Sequence, residues 1–272
     1  MLITPQQLAA NDSCIVFDCR FALMDKHAGR RDYDAAHIPN ARYADLEKDL
    51  SSPGGSGGRH PLPDRDALAG RLRDWGVNRN STIACYDQNN SAMACRFWWL
   101  VRWLGHADVH VLDGGLDAWL AAGLATDNNP VEFSRGDFVA GTPLTRTREA
   151  GDLLSSGAKL LDAREAHRFC GESEPIDPVA GHIPGAICAP FLDNLDASQF
   201  RDAAALAERF GALGLNKKDD IVCYCGSGVT ATHNIFALLQ AGYPEPALYP
   251  GSWSEWITDP ARPIATECEP SG

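Results

Sequence analysis

Cys225 stands at the start of the segment of this sequence that is best suited to covalent chemistry, Cys-Gly-Ser-Gly-Val-Thr. A thiol followed by two glycines can lie in a loop whose backbone N–H groups turn inward, because glycine adopts conformations that other residues avoid. Inward amides and a following helix N-terminus stabilise a thiolate, a persulfide or a bound oxyanion. We therefore predict that Cys225 is a nucleophile and that the sulfur is held by the backbone of Gly226, Ser227, Gly228, Val229 and Thr230.

The other cysteines offer no comparable loop. The chain has nine cysteines, an odd number, and no Cys-x-x-Cys pair. In a reducing compartment such residues behave as buried thiols. We expect Cys223, two residues upstream on the same strand, to belong to the core. The alternative for Cys225 itself is that it ends a buried strand and is inert.

The elements around Cys225 follow the pattern of an α/β domain. Residues 220–225 are a short β-rich run, and residues 230–242 have apolar residues at helical spacing and end at a glycine. Residues 159–163 predict another strand, and residues 206–214 another helix. Strands that alternate with helices indicate a parallel sheet with helices on both faces. In such a sheet, ligands bind at the carboxyl ends of the strands.

The sequence contains one internal repeat. Four segments of the first half recur in the same order in the second half, namely 16–20 with 160–164, 37–41 with 182–186, 83–87 with 221–225, and 111–119 with 248–256. Such order indicates a duplicated domain. We predict an N-terminal domain over residues 1–126, a linker over 127–143, where Asp127-Asn-Asn-Pro130 breaks any helix, and a C-terminal domain over 144–272.

The first half lacks the thiol. Asp87 occupies the position that corresponds to Cys225, and both glycines of the loop are absent there. That loop cannot form a thiolate, so we expect only the C-terminal domain to be catalytic. The glycine- and serine-rich residues 51–58 also lie in the first half. Because they lack the Gly-Lys-Ser/Thr ending of a phosphate-binding loop, we interpret them as a plain surface loop.

Taken together, these motifs resemble the rhodanese superfamily in its two-domain sulfurtransferase form, over nearly the whole chain. The resemblance implies two tandem rhodanese-like α/β domains, each a parallel sheet flanked by helices, with an inactive N-terminal copy. It also implies that Cys225 takes sulfur from a small-molecule donor and passes it, as a persulfide, to cyanide, a thiol or thioredoxin.

The identity of the donor is less determined. The Cys-Gly-Ser-Gly-Val loop is similar to that of 3-mercaptopyruvate sulfurtransferases, and a loop without charge suits a monocarboxylate better than doubly anionic thiosulfate. Arg168 matches one of the two arginines that those enzymes offer to the donor. The second would fall near Ile176, where no arginine stands. This departure counts against 3-mercaptopyruvate. Because of the loop we still place 3-mercaptopyruvate slightly ahead, and we retain a thiosulfate:cyanide sulfurtransferase as the alternative.

Other polar residues have more modest interpretations. Ser227 either donates a hydrogen bond to the substrate or shapes the loop. His37 and His182 each precede Ile-Pro in both halves, including the half without the thiol, so a structural role is favoured. The Asp-x-Arg pairs, Asp18 with Arg20 and Asp162 with Arg164, are interpreted as structural for the same reason.

Composition excludes several classes of protein. A net charge of -12 argues against a nucleic-acid partner, which needs a basic face. No segment has the length of a membrane span, and the N-terminus does not resemble a signal peptide, so we expect a soluble cytoplasmic protein without membrane contact. His and Cys are too scattered for a zinc site, and we predict no metal and no organic cofactor.

Two other functions compete with sulfur transfer. Cysteine phosphatases also begin an anion-binding loop with cysteine, but they close it with an arginine six residues later, where this chain has Ala231. A non-enzymatic rhodanese-type binding module is the second rival. It is disfavoured because Cys225 is present.

Overall fold

The computed structural model of the protein describes residues 1–268. The chain forms two compact units. The first unit comprises residues 1–52, 62–145 and 196–200. The second comprises residues 53–61, 146–195 and the chain from 201 onward. The second unit therefore includes a short segment that comes from the first half of the sequence.

The first unit contains one five-stranded sheet and five helices. Its strands are β1 (Leu2–Ile3), β2 (Ile15–Asp18), β3 (Arg42–Tyr43), β4 (Ile83–Tyr86) and β5 (Val109–Leu112). Its helices are α1 (Pro5–Ala9), α2 (Ala28–Ala35), α3 (Arg65–Asp74), α4 (Ala92–Trp103) and α5 (Gly115–Ala121).

The second unit repeats this plan. Its sheet strands are β6 (Arg146–Thr147), β7 (Lys159–Asp162), β8 (Ile187–Cys188), β11 (Ile221–Tyr224) and β12 (Ala247–Leu248). Its α-helices are α6 (Ala166–Phe169), α7 (Ala203–Ala212), α8 (Ala231–Gln240) and α9 (Ser252–Trp256), with 3₁₀ turns at Ala150–Asp152 and Phe191–Asn194. Two further short strands, β9 (Leu195–Asp196) and β10 (Gln199–Phe200), form a separate two-stranded sheet, most of which belongs to residues 196–200 of the first unit.

Both five-stranded sheets are parallel and have the same strand order. The order is β1-β5-β4-β2-β3 in the first unit and β6-β12-β11-β7-β8 in the second. The central strands β4 and β11 are buried along their whole length, as parallel strands covered on both faces are. The predicted duplication and the predicted α/β fold are confirmed.

Equivalent helices of the two units begin in the same way. Asp64 precedes α3, and its side chain accepts a hydrogen bond of 2.8 Å from the Ala67 amide. Asp202 precedes α7 and accepts from the Ala205 amide, also at 2.8 Å. An aspartate at this position satisfies an amide that the helix leaves unpaired, which stabilises a helix by about 1 kcal/mol. The repeat therefore extends to the local signals that start its helices.

Residues 127–143, the predicted linker, follow α5 in the first unit. The described chain has neither helix nor strand between α5 and β6. Phe138 is nevertheless buried, and its amide donates to the Val77 carbonyl at 3.1 Å. This part of the segment therefore packs on the first unit. The boundaries at 126 and 144 stay a prediction.

Two cysteines differ from their sequence-based interpretation. Cys170, directly after α6, and Cys268 form a disulfide, with Cα atoms 5.3 Å apart. The expectation of plain thiols is therefore wrong for this pair. The partners are 98 residues apart in the chain, and cysteine spacing alone does not reveal such a pairing. Cys223, in contrast, is buried in β11 as predicted.

None of the helices among residues 1–268 is both long enough and apolar enough to cross a membrane. The longest, α4, has 12 residues, whereas a span needs about 20.

Candidate active site

Cys225 lies immediately after the last residue of β11, at the carboxyl end of the second sheet. It is enclosed, with 2% of its surface exposed. Its amide donates to Ser252 Oγ at 3.1 Å, and its carbonyl accepts from the Trp253 amide at 2.9 Å. These contacts with the start of α9 fix the backbone that carries the thiol.

The loop after Cys225 presents amides that the protein does not use. Among residues 1–268, no acceptor receives a hydrogen bond from four of its amides, those of Gly226, Ser227, Val229 and Thr230. The loop leads directly into α8, whose own N-terminal end favours negative charge. Such a group of donors is suited to binding an anion or a polarised sulfur atom.

Gly228 is required by the shape of this loop. Its φ of +74° lies in the left-handed region, and a Cβ there would approach the Pro250 carbonyl oxygen to 2.3 Å. Other residues meet both strain and a steric clash at such a position. The second glycine of the motif therefore allows the tight turn that the sequence analysis expected.

Ser227 contacts a histidine that the sequence analysis did not select. His60 Nδ1 and Ser227 Oγ are 2.8 Å apart, and both residues are buried. His60 belongs to the segment 53–61 of the second unit. A hydroxyl linked to an imidazole can pass a proton, which a loop-shaping serine alone cannot do.

Two arginines reach the loop beside Cys225. A Cβ at Gly226 would lie 2.8 Å from Arg59 Nη2 and 3.5 Å from Arg168 Nη2. The first glycine of the motif therefore lets two guanidinium groups approach the backbone next to the thiol. The sequence analysis expected Arg168 but found no second arginine near Ile176. The structure supplies one from Arg59 instead.

Arg168 is buried and held by carboxylates. Its Nε lies 3.0 Å from both carboxylate oxygens of Glu174, and Arg164 Nη1 contacts the same carboxylate at 3.2 Å. Burial works against ionisation of Glu174, but hydrogen bonds from Arg168 and from two backbone amides hold its pKa below the usual value. Glu174 therefore joins the Asp162–Arg164 pair to Arg168 and fixes the Arg168 side chain.

Asp177 lies between the two arginines of the site. Its Oδ1 pairs with Arg59 Nη1, and its Oδ2 lies 3.4 Å from Arg168 Nη2. Only 7% of the residue is exposed. Burial raises the pKa of Asp177, while the positive charge of Arg59 acts in the opposite direction.

The structure thus brings together the predicted site residues and adds two others. Cys225, its loop and Arg168 lie together, as the sequence analysis expected. Arg59 and His60 were missed because they follow residues 51–58, which were interpreted as a plain surface loop. Residues 53–57 are exposed, as that interpretation expects, but the segment from residue 53 belongs to the second unit. No periodicity or motif marks this segment, although a histidine next to an arginine after a flexible stretch was a possible signal.

A family model described as the rhodanese-like domain matches this chain twice, over residues 4–122 and 147–259. The chain belongs to the rhodanese family. It is 53% identical to a probable 3-mercaptopyruvate sulfurtransferase of Pseudomonas aeruginosa, over 97% of this chain and 98% of that protein. It is 39% identical to a putative thiosulfate sulfurtransferase, SseB, of Mycobacterium tuberculosis, over 97% and 96%.

A solved structure agrees with this assignment. The crystal structure of SseA from Escherichia coli, whose subject is the rhodanese fold and catalytic mechanism of 3-mercaptopyruvate sulfurtransferases, matches with a TM-score of 0.82. The identity is 31%, and the match covers 93% of this chain and 99% of that one. The predicted rhodanese-type fold is confirmed.

In the N-terminal rhodanese domain, Asp87 occupies the position that corresponds to Cys225. Asp87 follows β4 as Cys225 follows β11, and its carbonyl accepts from the Leu116 amide at 2.9 Å, the counterpart of the Trp253 contact. Its carboxylate accepts from the amides of Ser91, Met93 and Ala94 at 2.9, 2.9 and 3.3 Å. In this rhodanese domain an internal carboxylate thus satisfies amides at the start of α4, and it stands at the position that holds a thiol in the other domain.

The Asp-x-Arg motif has the same geometry in both rhodanese domains. The Nη2 atoms of Arg20 and Arg164 pair with Asp18 and Asp162 at 2.6 and 2.5 Å. Each arginine also donates to a backbone carbonyl, that of Ala36 at 2.6 Å and that of Gly181 at 2.7 Å. These buried pairs connect the ends of β2 and β7 to the chain that follows, which agrees with a structural role.

The two histidines before Ile-Pro are also equivalent. His37 Nδ1 lies 2.7 Å from the Tyr33 carbonyl oxygen, and His182 Nδ1 lies 2.8 Å from that of Phe169. Each ring stacks on the ring of that same aromatic residue, at centroid distances of 4.0 and 3.6 Å. The identical arrangement in the rhodanese domain without the thiol agrees with a structural role for both.

Proposed function

We propose that this protein is a sulfurtransferase that carries sulfur as a persulfide on Cys225. The observation that supports it most is the position of Cys225 at the start of a loop with four unused amides, next to Arg59 and Arg168. The amides are suited to hold the transferred sulfur, and the guanidinium groups are suited to hold an anionic donor. The loop backbone from Gly226 to Thr230 and Arg168 are therefore proposed as donor-binding residues.

The reaction divides into two half-reactions. The Cys225 thiolate attacks the sulfur of 3-mercaptopyruvate, an S–S bond forms, and the C–S bond breaks with its electron pair going to carbon. The resulting enolate of pyruvate takes up a proton. In the second half-reaction an acceptor attacks the outer sulfur of the persulfide and releases the Cys225 thiolate, as covalent catalysis requires.

Two features support 3-mercaptopyruvate as the donor. The loop from Gly226 to Thr230 has no charged side chain, and the arginines beside it are already partnered by carboxylates. Such a site suits one negative charge better than two. Thiosulfate is the alternative donor, and its supporting observation is the similarity to the mycobacterial protein named for it.

Initial rates with both donors test this proposal. We expect parallel lines in double-reciprocal plots at several cyanide concentrations, because one product leaves before the acceptor binds. We also expect a higher kcat/KM for 3-mercaptopyruvate than for thiosulfate. The opposite order would support the thiosulfate alternative, and turnover of neither donor would contradict the proposed function.

The acceptor is proposed in chemical terms. A persulfide sulfur is attacked by cyanide or by a thiolate, so both are proposed as acceptors. Thioredoxin as the physiological thiol and a cytoplasmic location are further proposals that follow from the sequence. Release of sulfide from the Cys225 persulfide by reduced thioredoxin tests the first, and cell fractionation tests the second.

His60→Ala should impair one donor more than the other. Through Ser227, His60 is placed to deliver the proton that the pyruvate enolate needs. We expect kcat with 3-mercaptopyruvate to fall about a hundredfold, the usual size of a lost proton donor. Thiosulfate releases sulfite, which needs no proton on carbon, so its kcat should change much less.

Two other variants complete this comparison. Ser227→Ala removes the same link and should reproduce the selective loss. His27→Ala, at an exposed histidine of the first unit, serves as the control and should leave both rates unchanged. An equal loss with both donors in His60→Ala would show that His60 only supports the loop.

A further inference from the structure

The carboxylate of Asp177 has no part in the half-reactions described above, yet it lies within the donor site. A Cβ at Gly226 would lie 3.8 Å from Asp177 Oδ2, in the same space that Arg59 and Arg168 reach. Gly226 is the neighbour of the nucleophile. A donor whose anionic group binds these arginines therefore meets the negative charge of Asp177 as well.

The arginines around the site are paired with carboxylates. Arg59, Arg164 and Arg168 are in contact with four carboxylates, the buried ones of Asp162, Glu174 and Asp177 and the more exposed one of Glu165. Asp162 and Glu174 bind Arg164 and fix the end of the strand. Asp177 alone of these carboxylates bridges Arg59 and Arg168. It therefore reduces the positive charge that both arginines together offer to a donor.

We infer that Asp177 is a specificity-determining residue that selects monoanionic over dianionic sulfur donors. Its carboxylate competes with the donor for both guanidinium groups, and each additional negative charge on the donor increases the repulsion. A 2-keto carboxylate carries one charge and tolerates this site, whereas thiosulfate carries two. The inference rests on the proposed function, because it concerns the donor that reacts with Cys225.

The test replaces Asp177 by asparagine, which has the same shape without the charge. At the distances of a few ångströms found here, one unit charge in a partly buried site changes anion affinity by about tenfold or more. We expect kcat/KM for thiosulfate to rise about tenfold in Asp177→Asn, with a smaller rise for 3-mercaptopyruvate. The change should appear in KM, whereas a general disturbance of the site lowers kcat with both donors.

Asp220→Asn is the matched control. Asp220 is also paired with arginines, Arg146 and Arg148, but it precedes β11, at the end of the strand opposite to Cys225. The Asp220→Asn substitution changes the net charge by the same amount. The ratio of kcat/KM for thiosulfate to kcat/KM for 3-mercaptopyruvate should therefore stay at its wild-type value in this variant. An increase of this ratio in both variants would overturn the inference, because net charge alone would then explain it.

The remaining outcomes separate this inference from the proposed function. A folded Asp177→Asn with an unchanged ratio overturns the role of Asp177, while wild-type turnover leaves the sulfurtransferase intact. A wild-type protein that reacts with neither donor overturns the proposed function instead. Should the asparagine variant not fold, Asp177→Ser removes the same charge from a smaller side chain, and the same ratio decides.

Discussion

Cys225→Ser should lower kcat/KM by more than about a thousandfold with either donor, since no other group at this loop replaces the nucleophile. Serine is nearly isosteric with cysteine but cannot form a persulfide. The variant should keep its fold, because the backbone contacts of residue 225 with Ser252 and Trp253 do not involve its sulfur atom. Steady-state kinetics with cyanide as acceptor, together with circular dichroism, measure both effects.

A matched variant shows whether this loss is specific. Cys188→Ser changes a half-buried cysteine at the end of β8, in the same rhodanese domain, and should retain the wild-type rate. If Cys225→Ser kept an appreciable part of the activity, another cysteine would carry the sulfur. The enclosed position of Cys225 would then be that of a core residue.

Arg168→Ala should cause two losses at once. Without its guanidinium group the site holds an anionic donor less well, and we expect kcat/KM to fall about a hundredfold with both donors. The folded protein also loses about 3 kcal/mol of its free energy of unfolding, because the buried carboxylates of Glu174 and Asp177 are left without this partner. Enzyme kinetics and urea denaturation report the two losses separately.

Arg59→Ala and Arg168→Lys divide these contributions. Arg59 has a more exposed side chain than Arg168, so its removal should weaken donor use with a smaller loss of stability. Lysine at position 168 keeps the charge but cannot make both contacts with Glu174, so activity should return only in part. Unchanged kinetics in Arg168→Ala would exclude Arg168 from donor binding.

The local parts of the site were predictable from the sequence. The loop that starts at Cys225 is a continuous segment between a strand and a helix, and its two glycines directly indicate a tight turn. The exchange of Cys225 for Asp87 in the first domain is equally visible, because the repeat aligns the two positions. The structure adds that the Asp87 carboxylate binds amides at the start of α4, which the residue type alone did not reveal.

The distant parts of the site were not predictable in the same way. His60 and Ser227 are 167 residues apart, and Arg59 and Asp177 are 118 apart. Nothing in the periodicity of residues 51–61 indicates that they join the second unit, because their backbone forms neither helix nor strand. The Cys170–Cys268 disulfide was not predictable for the same reason, because its two cysteines are 98 residues apart in the chain.

The central claim is that one sulfur atom resides on Cys225 between the two half-reactions. The most direct measurement is mass spectrometry of the protein after treatment with 3-mercaptopyruvate or thiosulfate in the absence of acceptor, followed by peptide mapping. The account predicts a gain of one sulfur atom on the peptide that contains Cys225, and its removal by cyanide with formation of thiocyanate. No added sulfur with either donor, or sulfur found on a different cysteine, would contradict it.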